Sequence, residues 1–133
     1  MTEGPVRILV LDDEPIVGRR LKPALEKRGY AVETFEDGQK ALDRLGEQDF
    51  DIVVTDVRME GVNGIRVLEH VLAKSSRTRV IVISGYATVE VAQEALVKGA
   101  FDFLAKPFKP EDLRAVIGRA VSSLKESGRA TGQ

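Results

Sequence analysis

The chain changes hydrophobic period repeatedly: short runs rich in β-branched residues give way to amphipathic stretches, in about five units between Val6 and Leu124. Strand-period runs alternating with helical stripes predict a parallel sheet covered by helices on both faces. Val6–Leu11 and Val80–Ile83 are near-continuous apolar runs, as expected of central strands buried on two sides, and Phe50–Thr55 supplies a third strand. Tyr30 to Phe35 is more polar, with Glu33 and Thr34, and suits an edge. Phe101 to Ala105 is a short fifth strand.

The intervening helices carry their own punctuation. Pro15 suits a first helical position, with Val17, Leu21, Ala24 and Leu25 on one face and Gly29 as the stop. Asp37 can cap the second helix, and Ile65, Leu68 and Leu72 mark the third. Thr88 can cap the fourth, which Gly99 closes. Pro110, Glu111 and Asp112 open a last helix striped by Leu113, Val116, Ile117, Ala120, Val121 and Leu124. The expected architecture is α/β, a five-stranded parallel sheet of order 2-1-3-4-5 over residues 1–126, with 127–133 a flexible tail or truncated linker.

Composition excludes several classes of function. At 133 residues one core is the expectation. Twenty Lys plus Arg against twenty-one Asp plus Glu leave a net charge of −1, so there is no global attraction to nucleic acid or to an anionic membrane, and no direct nucleic-acid binding is expected. Cysteine is absent, which removes disulfides, thiolate metal sites and cysteine nucleophiles. The single His70 removes a two-histidine pair within one chain, and it is expected to be partly packed beside Leu68 and Leu72. No apolar run approaches the roughly 20 residues that span a bilayer. Met1–Arg7 lacks the apolar stretch of a signal peptide, and a cytoplasmic protein is expected.

Ligands of such sheets bind outside the carboxyl ends of the strands, where strand order reverses, here between strands one and three. Strand one ends in Asp12-Asp13, strand three in Asp56, strand four in Ser84 and strand five in Lys106. Taken singly, each has a bland reading as a helix-entry cap, a turn residue or a solvated loop lysine. Together they place polar groups at four strand ends in one crevice. Clustered carboxylates repel and call for a counter-charge. All-oxygen ligands favour Mg²⁺ over zinc or copper. Lys106 is then a point charge for an anion, and Ser84 a hydroxyl that can donate to one of its oxygens. Such a site suits a phosphoryl group, with Asp56 as the nucleophile that forms an acyl phosphate. No Gly-x-Gly-x-x-Gly or phosphate-loop signature occurs, which counts against nucleotide binding.

Leu11-Asp-Asp-Glu-Pro15, Thr55-Asp-Val-Arg-Met59, Ser84-Gly-Tyr-Ala87 and Lys106-Pro-Phe108 together resemble the response-regulator receiver domain of two-component signalling, from about Val6 to Leu124. Gly85–Glu90 and Gly99–Phe108 look most like receivers of the NtrC-like kind. The resemblance implies a flavodoxin-like (βα)5 three-layer sandwich. It implies that Asp56 accepts a phosphoryl group from a phosphohistidine on a sensor histidine kinase or phosphotransfer protein. Asp13, Asp56 and the backbone carbonyl of Arg58 would hold Mg²⁺, with Asp12 acting partly through water, and Lys106 would grip the phosphoryl group. It further implies that Ser84 moves toward that group and Phe103 turns inward, reshaping the face of the fourth helix, fifth strand and fifth helix to control an output, transcription among the candidates. That face is also a candidate homodimer surface, and the Lys106–Pro107 peptide is expected to be cis. Three departures stand out. Ser84 replaces a common Thr and keeps the hydroxyl. Phe103 replaces a frequent Tyr and leaves only packing to report the switch. Glu60 replaces a frequent Pro, which loosens the loop after Asp56 and is expected to tune the phosphoryl lifetime.

Two other functions compete with the receiver. A Mg²⁺-dependent phosphohydrolase with an aspartyl-phosphate intermediate needs a general acid or base for turnover, and the sequence suggests neither a His nor a further free acid near Asp56. A phosphorylation-independent interaction module would keep the fold and lose the acidic pocket, yet Asp12, Asp13, Asp56 and Lys106 are all present.

Overall fold

The apolar runs form strands because each alternate residue can be buried on one side of a sheet and the next on the other. In a computed structural model, which describes residues 4–57, 63–75, 77–85 and 88–131 with side chains as far as Glu126, β1 (Arg7–Leu11), β3 (Ile52–Asp56) and β4 (Arg79–Ser84) are buried along almost their whole length. β2 (Ala31–Phe35) and β5 (Asp102–Ala105) are partly exposed, as edges are. The sheet order is β2-β1-β3-β4-β5, all parallel, so the strand order reverses between β1 and β3. Register pairs Leu11 with Thr55, Asp56 with Ile83 and Ser84 with Ala105. The acidic and hydroxyl-bearing strand ends therefore come level at one rim.

Side-chain alternation divides the interior into two cores. Ile8, Val10, Ile52, Val54, Ile81 and Ile83 face α1 (Pro15–Glu26) and α5 (Pro110–Thr131), where Leu21, Leu25, Leu113 and Ile117 meet them. Leu9, Leu11, Val53, Val80 and Val82 face α2 (Gly38–Glu47), α3 (Gly64–Lys74) and α4 (Val89–Val97), through Ala41, Leu45, Leu68, Val71 and Ala95. The result is the expected three-layer α/β/α sandwich.

Helix ends follow the chemistry of their residues. Asp37 accepts from Gln39 N–H and Thr88 from Val91 N–H, as the sequence predicts; Asn63 does the same for α3 through Arg66 N–H. Pro15 stands at the first position of α1, and Gly99 follows α4 with φ +106°. The helical backbone of α5 runs from Pro110 to Thr131. One expectation is corrected: His70 is exposed rather than partly packed. The buried stripe of α3 runs through Gly64, Ile65, Val67, Leu68 and Val71, and His70 falls on the opposite face.

Candidate functional site

Each group of the site is fixed by the strand end that carries it. Asp12 follows β1 directly: its N–H donates to Phe35 O (3.0 Å), and its Oδ1 accepts from Glu14 N–H (2.9 Å). Asp56 closes β3, and Val57 N–H continues the ladder to Ile83 O at 3.2 Å. The Asp56 carbonyl accepts from the buried Thr55 hydroxyl at 3.0 Å. Lys106 follows β5; its N–H donates to Ser84 O at 2.8 Å, and the Lys106–Pro107 peptide is cis.

These elements bring the side chains to one point. The Lys106 ammonium donates to Asp56 Oδ2 at 2.9 Å and to Glu14 Oε1 at 2.8 Å, and lies 2.6 Å from Asp12 Oδ2. Asp12 and Asp56 are buried, at 2 % and 5 % exposure, whereas Asp13 is open to solvent. Ser84 is fully buried at the end of β4. Phe103, beside Val82 in register, is half-buried and packs against the core on the α2, α3 and α4 side. Arg58 and Glu60 lie outside the described residues.

The electrostatics follow from burial and charge. Burial pushes the Asp12 carboxyl above its ordinary value, against the opposing pull of Lys106 and the Glu14 N–H. Burial alone would lower the Lys106 ammonium, but its contacts with Asp12, Glu14 and Asp56 outweigh that and hold it above the usual lysine value. Lys106 in turn holds the Glu14 carboxyl below the usual range. Three carboxylates thus surround one cation, with Asp13 close by, leaving the pocket strongly negative.

Carboxylate oxygens of Asp12, Asp13 and Asp56 lie within 4.8 Å of one another, close enough to share a metal ion. Asp12 Oδ2 is buried and, among the described residues, meets no donor at hydrogen-bonding geometry; its 2.6 Å approach to Lys106 is a charge contact. A buried oxygen with unused acceptor capacity beside two further carboxylates fits a hard, oxygen-seeking cation.

Two residues join the site that the sequence reading did not assign to it. Glu14 reaches Lys106 from the first turn outside α1, where its only signal was its place in the Asp-Asp-Glu-Pro run. It is also an acid close to Asp56, where none beyond the pocket aspartates was expected, although Lys106 holds it ionised. Gly64 is buried, and its N–H donates to Val57 O at 3.0 Å; a Cβ there would stand 1.9 Å from Asp56 O. Its signal was a glycine at a helix start, where turn chemistry alone would explain it. Beside the site, a groove of about 460 Å³ runs between α1 and the start of α5, lined by Ile16, Val17, Leu21, Phe108 and Pro110.

Residues 8–118 match the family model described as the response regulator receiver domain. The chain is 38 % identical over 115 residues to the regulatory protein AtoC of Escherichia coli (strain K12), an alignment covering 86 % of this chain and 25 % of AtoC, so the chain spans about a quarter of that relative. The fold superposes on a CheY-like response regulator receiver domain protein from Methanospirillum hungatei JF-1 with a TM-score of 0.89 and 26 % identity, covering 93 % of this chain and 99 % of that one. It also superposes on a response regulator protein from Burkholderia pseudomallei with a phosphorylated aspartic acid, calcium ion and citrate, with a TM-score of 0.79 and 28 % identity, covering 92 % and 72 %.

Proposed function

The chain belongs to the response regulator receiver domain family, and from that premise we propose that Asp56 takes a phosphoryl group from a phosphohistidine of a sensor histidine kinase or phosphotransfer protein. The observation that carries this reading is the convergence of Lys106 on Asp56 and Asp12, at 2.9 and 2.6 Å, across strand ends far apart in sequence.

The Asp56 carboxylate attacks phosphorus in line; an oxygen–phosphorus bond forms, the phosphorus–nitrogen bond of the donor breaks, and the imidazole leaves with the electron pair. Lys106 stands where it can hold an equatorial oxygen of the transferred group. Asp12, Asp13, Asp56 and the Arg58 carbonyl would hold Mg²⁺, which when bound supplies positive charge against the phosphoryl oxygens. The calcium ion and phosphorylated aspartic acid of the Burkholderia neighbour support both assignments.

Phosphorylation adds about −1.5 to −2 charges and new acceptor oxygens to a pocket already rich in carboxylates. We take Ser84, buried at the rim, as the hydroxyl that answers the new group; Phe103, paired in register with Val82 on the neighbouring strand, packs against the α4-side core. In our reading a shift of Ser84 draws Phe103 inward and reshapes the face of α4, β5 and α5, which then acts on an output or on a second copy of the chain. We place this exchange in the cytoplasm; among the described residues no helix is long and apolar enough to cross a membrane. The output belongs to transcription in our reading, by analogy with the regulatory relatives. A phosphohydrolase is not favoured: His70 faces solvent on α3, and Glu14, held ionised by Lys106, is a poor proton donor at neutral pH.

Incubation with Mg²⁺ and acetyl phosphate should add one acid-stable, base-labile phosphoryl group, seen by intact-mass spectrometry, and Asp56→Asn should add none. Unchanged incorporation in that variant, or rapid multiple turnover of many phosphoesters, would overturn the reading.

A further inference from the structure

An ammonium has three N–H donors and no acceptor, and three carboxylate oxygens already lie within 2.9 Å of Lys106 Nζ: Asp12 Oδ2, Glu14 Oε1 and Asp56 Oδ2. A phosphoryl oxygen arriving at Asp56 meets a cation crowded by three anions, two of which, Glu14 and Asp56, already accept its N–H groups, so it has to compete with them for Lys106. Asp12 and Asp56 have short side chains, both are buried, and Asp12 is tied through Oδ1 to the Glu14 N–H. Glu14 differs in each respect. Its side chain is 60 % exposed and one methylene longer, so it can swing into water and be rehydrated on release. It makes no side-chain cap bond to α1, although it occupies the N-cap position, so its carboxylate is committed to Lys106 rather than to the helix.

We propose that Glu14 is a positioning residue: an exposed carboxylate that occupies one face of the Lys106 ammonium and yields it to the incoming phosphoryl group. The inference rests on the phosphoacceptor reading above. Glu14 weakens the pocket for phosphoryl groups in two ways, by competing for Lys106 and by repelling an approaching anion. Exposed ion pairs of this kind are weak, so the effect expected of removing it is about two- to fivefold in affinity.

The test is binding of beryllofluoride, the tetrahedral stand-in for a phosphoryl group, followed by ¹⁹F NMR on the full chain in Mg²⁺. Glu14→Gln should bind it about two- to fivefold more tightly than the wild type. Glu14→Ala, which also lacks the amide oxygen that can still accept from Nζ, should gain at least as much. Mg²⁺ affinity without beryllofluoride, measured by calorimetry, should fall by no more than about twofold, because Glu14 is outside the cluster that would hold the ion. That split between the two affinities separates positioning of Lys106 from a general structural role. Equal or weaker beryllofluoride binding in both variants, or a larger loss of Mg²⁺ affinity, overturns the proposal while leaving the phosphoacceptor reading intact. A wild-type chain that neither binds beryllofluoride nor accepts a phosphoryl group overturns both.

Discussion

Replacing Gly64 with alanine should push the end of β3, which carries Asp56, away from the helix that follows it. A Cβ on Gly64 would meet Asp56 O at 1.9 Å, Asp56 C at 2.7 Å and Val57 Cα at 2.9 Å, all of them backbone atoms that cannot rotate aside. Gly64 has no positive φ, so the conflict is purely steric. Relieving it to the 3.0 Å that real Cβ atoms respect requires about 1.1 Å of relative movement between α3 and the end of β3. Overpacking of this kind costs about 1–3 kcal/mol, and losing the Gly64 N–H bond to Val57 O adds roughly 1 kcal/mol. A destabilisation of about 2–4 kcal/mol would lower the urea midpoint by roughly 1–2 M at unchanged slope. Because the displaced atoms belong to Asp56 itself, phosphorylation by acetyl phosphate should also slow by about tenfold or more in the fraction that remains folded. Gly118→Ala is the matched control. It lies inside α5 with nothing within 4 Å of a new Cβ, and should stabilise by about 0.5–1 kcal/mol. A Gly64→Ala protein within about 0.5 kcal/mol of wild type would refute the steric reasoning.

Other outcomes follow from the charges. Lys106→Ala leaves the buried Asp12 and Asp56 without their shared cation, and should lower stability by about 1–3 kcal/mol, with part of the loss recovered in Mg²⁺; urea melts with and without the metal check this, and an unchanged midpoint contradicts it. Glu33 on β2 is gripped by the Arg44 fork of α2 at 2.8 and 2.9 Å, which holds its carboxyl below the ordinary value of 4.5. Its contribution to stability is therefore present above pH 4.5 and lost as pH falls through the lower folded value. The stability gap between wild type and Glu33→Gln should shrink across that acidic window, and a gap that grows there would reverse the sign of the assignment.

What could be read from the sequence was whatever depends on period. The strands at Val6–Leu11 and Val80–Ile83 and the caps at Asp37 and Thr88 follow from local pattern and turn chemistry, and the structure has them within one or two residues; the sheet order follows from the usual topology of such parallel sheets, and the structure has it too. The meeting of Asp12, Asp56 and Lys106 was legible for the same reason: once a parallel sheet is assumed, residues at the carboxyl ends must share a rim. Glu14 and Gly64 were not legible, because each acts through a contact whose partner is chosen by three-dimensional approach. Glu14 looks like one more acid at a helix entry until Lys106 arrives from β5, and Gly64 looks like a turn residue until the Asp56 carbonyl is seen beneath it. His70 was misread because its apolar neighbours Leu68 and Leu72 suggested a packed setting, whereas the 3.6-residue period turns position 70 outward.

Net charge conceals the property on which the site turns. The pocket's four acids and one lysine carry −3, in a chain whose total is −1, which leaves the rest of the molecule at +2. A near-neutral total thus coexists with a concentrated negative field at one rim, where low dielectric strengthens every interaction. That field attracts cations and opposes a phosphoryl donor, whose charge has the same sign. The Asp12 carboxyl is raised chiefly by its burial, with the Asp56 charge a smaller cause, and Asp12 and Asp56 are both held buried at their strand ends. Any gain in positive charge or loss of negative charge at the exposed edge, where Glu14 sits, shifts the balance toward the phosphorylated form; the same change at buried Asp12 or Asp56 removes the anchor that holds Lys106 in place. Exposure, more than charge, therefore separates the carboxylate that can regulate this pocket from those that build it.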